Sequence, residues 1–205
     1  AKQFDKVEEI QTKSTLQLDE TEELSLIKES VRFYQAVCAL ELGDTDAEAQ
    51  FLKYINDYPA SANAKAAFFQ IGRSYYAKKD YAKAIEWFSK IESRNLAGAE
   101  NKEYRFKLGY AQFMTNDFKS AKPLFQKLKD ENSQFQEASI YYYAYLSYLD
   151  AEYKTALNEF ERLNGSKTFE DTYPYYITAL YFLDKRYDDV LSYALPILKS
   201  TKQKY

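Results

Sequence analysis

Two residue types in this chain could do chemistry: carboxylates, with 31 Asp and Glu among 205 residues, and tyrosines, of which there are 21. Carboxylate pairs such as Glu100 with Glu103, or Glu159 with Glu161, have a spacing that acid/base partners can use. A solvated helical face carries the same spacing, and no nearby residue supplies a second function or the burial that would raise a carboxyl pKa. With no histidine in the chain, Ser/His/Asp and Cys/His nucleophiles and mixed His/Cys zinc sites are excluded. CxxC pairs, phosphate-cradling or dinucleotide glycine motifs and calcium loops are also missing from the sequence. Cys38, the single cysteine, lies among Ala36, Val37, Ala39 and Leu40, the setting of a buried small hydrophobe. The sequence therefore predicts no catalytic residue, no metal and no cofactor.

Tyrosine chemistry is recognition: a half-exposed ring supplies apolar area and a hydroxyl hydrogen bond at modest entropy cost. What these rings can reach depends on the elements that carry them, and those elements repeat. Ala84 with Phe88 and Ile91 recurs as Ala121 with Phe125 and Leu128, 37 residues on, and as Ala156 with Phe160 and Leu163, 35 further. An aromatic stands three residues ahead of each alanine, at Tyr81, Phe118 and Tyr153, and a weaker copy begins at Tyr187 with Val190 and Ala194. Ahead of each phrase, a stretch such as Phe68 to Tyr76 has apolar residues at helical spacing and ends in a polar turn such as Lys78, Lys79 and Asp80. Each unit is thus a pair of helices, A then B. A less regular copy has Ala47, Phe51 and Tyr54 after the turn Gly43-Asp44, with an A helix expected from about Thr21 to Leu42.

The period, the Ile71-Gly72 and Leu108-Gly109 pairs and the Ala-x3-Phe phrases resemble the tetratricopeptide repeat. That resemblance implies an all-α right-handed superhelical solenoid of antiparallel helix pairs, with the A helices lining the concave face. The expected organisation is a single solenoid over 1–205: a partial preceding repeat and connector at 1–20, an irregular repeat at 21–61, and repeats at 62–98, 99–133, 134–168 and 169–205. Tyr58-Pro59-Ala60-Ser61 marks one boundary, proline ending a B helix and Ser61 able to cap the next A helix. No Gly, Pro or Ser-rich tract separates the copies.

With repeat starts at Lys65, Lys102, Glu137 and Asp171, the fifth positions are Phe69, Phe106, Tyr141 and Tyr175. The twelfth are Tyr76, Phe113, Tyr148 and Phe182, and the ninth are Arg73, Tyr110, Tyr145 and Ala179. Positions seven apart span about two turns, so each A helix shows both rings on one face. Within the resemblance, the fifth and ninth positions face a bound segment. The candidate protein-binding residues are therefore Phe69, Arg73, Tyr76, Phe106, Tyr110, Phe113, Tyr141, Tyr145, Tyr148 and Tyr175; the alternative is that the rings fill space between helices. The Lys and Asn carboxylate clamp of chaperone-binding members is absent, since Phe69, Arg73, Phe106 and Tyr110 occupy those positions.

Net charge is -3, with 28 basic against 31 acidic residues. A groove tracking nucleic acid needs concentrated positive charge, and here lysines alternate with acids, leaving only a short cluster at Lys199, Lys202 and Lys204. No run approaches the roughly 20 apolar residues of a membrane-spanning helix. The expected partner is a protein or peptide, with no nucleic acid. Asp57-Tyr58-Pro59-Ala60-Ser61, Phe106-Lys107-Leu108-Gly109-Tyr110 and Tyr141-Tyr142-Tyr143-Ala144 resemble outer-membrane assembly lipoproteins and large repeat proteins of Bacteroidota. This implies a periplasmic or outer-membrane-associated scaffold. A purely structural segment of a longer chain is the alternative. Phe4 and Val7 at one edge, and Leu191, Leu195 and Leu198 at the other, suggest apolar ends able to self-associate.

Overall fold

The computed structural model describes the backbone of residues 2–91 and 96–199 and the side chains of 21–64, 66–91 and 96–198. The described residues form helices joined by turns and short connections, with no strand among them. Two compact units divide the chain, Ala1–Ile91 and Glu92–Tyr205. The first contains α1 (Lys2–Glu41), α2 (Ala47–Asp57), α3 (Ala62–Ala77) and α4 (Tyr81–Ser89); the second contains α5 (Gly98–Met114), α6 (Phe118–Leu128), α7 (Gln136–Leu149), α8 (Tyr153–Glu161), α9 (Tyr173–Leu183) and α10 (Tyr187–Lys199). Consecutive helices pack as A/B pairs, α1 with α2, α3 with α4, α5 with α6, α7 with α8 and α9 with α10.

The first A helix is longer than its sequence boundary suggests. α1 runs unbroken from Lys2 to Glu41, because the stretch around residue 20 holds neither glycine nor proline and is rich in Leu, Glu and Gln, which lose little freedom in a helix. The side chains of Phe4 and Val7 lie outside the described residues, as do Lys202 and Lys204. Cys38 corrects the sequence reading: it is exposed. α1 turns Phe33, Ala36 and Ala39 into the core, and Cys38 falls on another side of the helix.

The A-to-B turns share one geometry. Lys79 (φ 60), Asn116 (φ 62), Ala151 (φ 59) and Lys185 (φ 59) are left-handed, and Gly43 (φ 75) serves in the first pair. After each, an amide reaches back five residues: Asp80 N–H to the Tyr75 carbonyl, Asp117 to Gln112, Glu152 to Ser147 and Arg186 to Tyr181, all at 2.8–3.0 Å. This closure satisfies the last carbonyls of helix A and reverses the chain within three residues. The next residue then starts helix B: Asp80 caps Lys83 N–H and Asp117 caps Ser120 N–H, each at 3.2 Å. Ser61 fulfils its expected role, accepting from Asn63 N–H at 3.0 Å.

The repeating phrase is the core of each pair. Ala84, Ala121 and Ala156, with Phe88, Phe125 and Phe160, are wholly buried. Gly72 lets α4 close on α3: an added Cβ would lie 2.5 Å from Phe88 Cε1. At Gly109 the same atom would stand 3.2 Å from Leu124 Cβ, a looser fit, and buried Ala144 holds the position in α7. Apolar burial at roughly 25 cal/mol per Å2 makes these stacked seams the main stabilising term.

Candidate protein-binding surface

In the second unit the A helices bring aromatic rings to each junction between neighbouring pairs. Tyr142 of α7 is the centre of one cluster, its ring 5.4 Å from Tyr110, 4.9 Å from Phe113 and 5.2 Å from Phe125. One repeat later Tyr176 of α9 stands 5.6 Å from Tyr145, 5.5 Å from Tyr148 and 4.9 Å from Phe160. A second contact type accompanies each. Phe135, just ahead of α7, stacks on Phe106 at 4.7 Å and 19°, and Phe169, ahead of α9, stacks on Tyr141 at 4.5 Å and 11°. Such pairs contribute about 0.5–1.5 kcal/mol each beyond their buried area.

These clusters decide what each candidate residue can offer. In the first unit Phe69 is 1% exposed with its ring 6.1 Å from Phe88, so it is corrected from contact residue to core. The missing side chain at Gly72 lets Phe88 close over it. Arg73 is half-buried, donating to Gln70 Oε1 at 3.2 Å with its guanidinium 5.7 Å from the Phe69 ring. Tyr76 is half-buried beside Tyr81 at 5.9 Å. In the second unit Phe106, Tyr110, Phe113, Tyr141, Tyr145 and Tyr148 are half-buried, and Tyr175 is 60% exposed. Tyr142 gathers Tyr110 and Phe113, and Tyr176 gathers Tyr145 and Tyr148. Tyr145 joins the two groups through Phe113 at 5.8 Å. These rings therefore pack between helices while keeping part of their surface accessible.

Sequence reasoning missed Tyr142, Tyr176, Phe135 and Phe169. Each pair is 34 residues apart, a signal as regular as the alanine phrase, but they lie outside the columns singled out for binding. Burial pushes the Tyr141 hydroxyl above its ordinary range. Tyr176 is pushed up to about 12, by burial first and then by the neighbouring Tyr141, Tyr145 and Tyr175. Both are neutral hydrogen-bonding groups at physiological pH.

Charged residues elsewhere in this unit clamp helix to helix. Glu159, expected on a wet face, is 9% exposed and meets Lys129 at 2.7 Å and Arg162 at 2.6 Å. Arg162 also reaches Asp130 at 2.9 Å, while Arg105 grips Glu131 through two bonds of 2.7 and 2.9 Å. Lys129 hydrogen bonding holds the Asp130 carboxyl below its ordinary range, and Arg105 does the same for Glu131. These contacts join α6 and its following turn to α8 and α5, a positioning task that leaves no spare acid/base pair there.

Residues 30–61, 66–94 and 103–134 each match the model of the family described as tetratricopeptide repeat. These three segments are tetratricopeptide repeats. The chain's fold class is the all-α right-handed solenoid of paired antiparallel helices. Residues beyond 134 lie outside those matches, yet α7 to α10 repeat the same left-handed turn and α8 the same Ala and Phe pair. The structure resembles MamA from AMB-1 with a TM-score of 0.65 at 14% identity, over 87% of this chain and 94% of that one. It resembles YrrB, described as a tetratricopeptide-repeat protein with an unusual peptide-binding site, with a TM-score of 0.63 at 17% identity, over 83% and 86%. A putative kinesin light chain of Podosopora anserina with nearly identical repeats gives 0.53 at 12%, over 86% and 98%. At these identities the likeness is one of fold. No curated protein matches the sequence. Its tetratricopeptide repeats give the protein the general character of a protein–protein interaction scaffold. No helix among its described residues is long and apolar enough to cross a membrane.

Proposed function

We propose that the accessible edges of Tyr110, Tyr141, Tyr145, Tyr148 and Tyr175 form the recognition surface of this scaffold, taking a peptide or protein segment along the A helices of the second unit. The observation that carries this reading is the backing of Tyr145 and Tyr148 by Tyr176. A ring already held from behind loses little freedom on binding, and its open face and hydroxyl supply the area and the bond that anchor residues provide. YrrB, whose description names a peptide-binding site, supports a peptide as occupant by analogy of fold. Arg73 and Tyr76 offer a separate cationic and aromatic contact on the first unit.

The setting we propose is the bacterial cell envelope, in the periplasm or at the outer membrane, on the strength of the sequence resemblance to envelope repeat proteins. Affinity capture from native envelope extract tests both parts. Partners retained by the wild-type chain and lost with Tyr110→Ala plus Tyr145→Ala, in a protein that keeps its helical signal, are the expected result. Partners bound equally by both proteins would remove this face from the account, and capture only from cytoplasmic extract would remove the envelope setting.

A purely structural role is the second reading, favoured by the same clusters: Tyr142 and Tyr176 show rings used to weld repeats together. It predicts that Tyr145→Ala lowers stability and changes no interaction.

A further inference from the structure

We propose that the outer face of α1 pairs in parallel with the same face of a second copy of this chain, forming a short two-stranded coil. α1 has two apolar faces. One packs into its unit through Phe33, Ala36 and Ala39. The other carries Leu24, Ile27, Val31 and Tyr34, which are 50, 52, 49 and 62% exposed, and continues to exposed Cys38. At 3.6 residues per turn, positions 24, 27, 31, 34 and 38 fall within an arc of about 80°, roughly opposite the packed face. Their alternating steps of three and four residues are the a and d spacing that seats one helix against another.

The flanking charges select the occupant. With Leu24 and Val31 at a positions, exposed Glu23 takes a g position and exposed Lys28 the following e position. In a parallel pair in register, Glu23 of each copy meets Lys28 of the other, so the stripe is complementary to itself. Packing of Phe33 and Ala36 against α2 and α3 holds the later half of the stripe folded before association, which lowers the ordering cost that a free helix would carry. The apolar pattern covers two heptads, fewer than the three to four of a freestanding coiled coil, so the dimer is weak and forms with rising concentration.

Cys38 reports the geometry. It is the only cysteine, so any disulfide is between chains. A parallel pair sets the two Cys38 side chains across one layer; an antiparallel pair centred on Val31 sets each opposite Leu24, some 20 Å from its counterpart along the axis. Copper-phenanthroline with dissolved oxygen supplies the oxidant, the two thiols giving up two protons and two electrons as the S–S bond forms.

The test combines sedimentation of the full chain across a wide concentration series with disulfide trapping at concentrations where the dimer forms. The expected results are a monomer–dimer equilibrium, rapid trapping through Cys38, and a dissociation constant raised more than about tenfold by Ile27→Glu with Val31→Glu, which buries unpaired carboxylates in the seam. Lys28→Glu alone should weaken the dimer, and Glu23→Lys added to it should restore it. This charge-exchange pair lies on exposed positions and keeps the test valid if the seam variant misfolds. A chain that stays monomeric throughout overturns the proposal, as does a dimer indifferent to all four substitutions. A dimer that these substitutions break but that traps no disulfide overturns the parallel arrangement.

Discussion

Gly72 and Tyr142 show how single residues divide the work. An alanine methyl at Gly72 would meet the ring of Phe88, which is wholly buried and has no room to retreat. Gly72→Ala is expected to cost about 1–3 kcal/mol by overpacking, and Gly109→Ala less; chemical denaturation of both variants measures the difference. Tyr142→Ala and Tyr176→Ala each remove the centre of a ring cluster and are expected to cost roughly 2–4 kcal/mol. Tyr145→Ala, which leaves its cluster centre in place, should cost about half as much, and melting curves of the three variants check the order. The glycine pairs and the buried phenylalanines were legible in the sequence because their types recur in register. Which face of a tyrosine is free was not, since Phe69 and Tyr141 share a repeat position while one is core and the other half-exposed. Burial there depends on the neighbouring repeat: Phe169 lies over Tyr141 and leaves an accessible edge, whereas Phe88 closes over Phe69.

Turns carry the clearest strain at the level of elements. Ala151 adopts a left-handed backbone at φ 59, a conformation that disfavours a Cβ by about 1–2 kcal/mol. Ala151→Gly is therefore expected to stabilise the chain by about 0.5–1 kcal/mol after the added entropy of the unfolded glycine is subtracted. Thermal unfolding should show a higher midpoint; an unchanged or lower one would mean that the closure from Glu152 N–H to the Ser147 carbonyl does not define this turn. The sequence marks these turns by polar clusters and by the aromatic that follows. It misplaces the start of the first A helix, because a connector rich in good helix formers has no local signal that it should stop. The face of α1 that carries Cys38 was equally hidden, since apolar residues surround that position along the chain while only one side of the helix meets α2 and α3.

Across the whole molecule, repetition makes the fold readable and the charge network sets its pH limits. Tyr75 is pushed up to about 12 by its hydrogen bond with Glu48 and then by burial, and Tyr181 to about 12 by burial and then by Glu161. Together with Tyr176, these groups keep their protons in the folded state after the unfolded chain, with its ordinary value near 10, has lost them. Stability should thus be unaffected by these groups below pH 10 and fall as pH rises from 10 towards 12. At the acid end, Glu29 is held down by hydrogen bonds from Ser61 and Tyr54, Asp130 by Lys129 and Glu131 by Arg105. Their contribution is present above the ordinary carboxyl range and is lost as pH falls through the lowered folded values. Denaturation midpoints that stay flat below pH 4 or from pH 10 to 12 would contradict these assignments.

Calorimetric titration with a peptide selected from a display library on the wild-type protein tests the central claim most directly, by comparing wild type with a Tyr145→Ala, Tyr148→Ala variant. If the accessible rings of α7 form the recognition surface, the variant should stay folded, with a modestly lower melting point, and lose at least about tenfold in affinity, the scale of a truncated anchor. The same peptide bound with unchanged affinity by the folded variant would contradict the account and leave the tyrosines as packing between repeats.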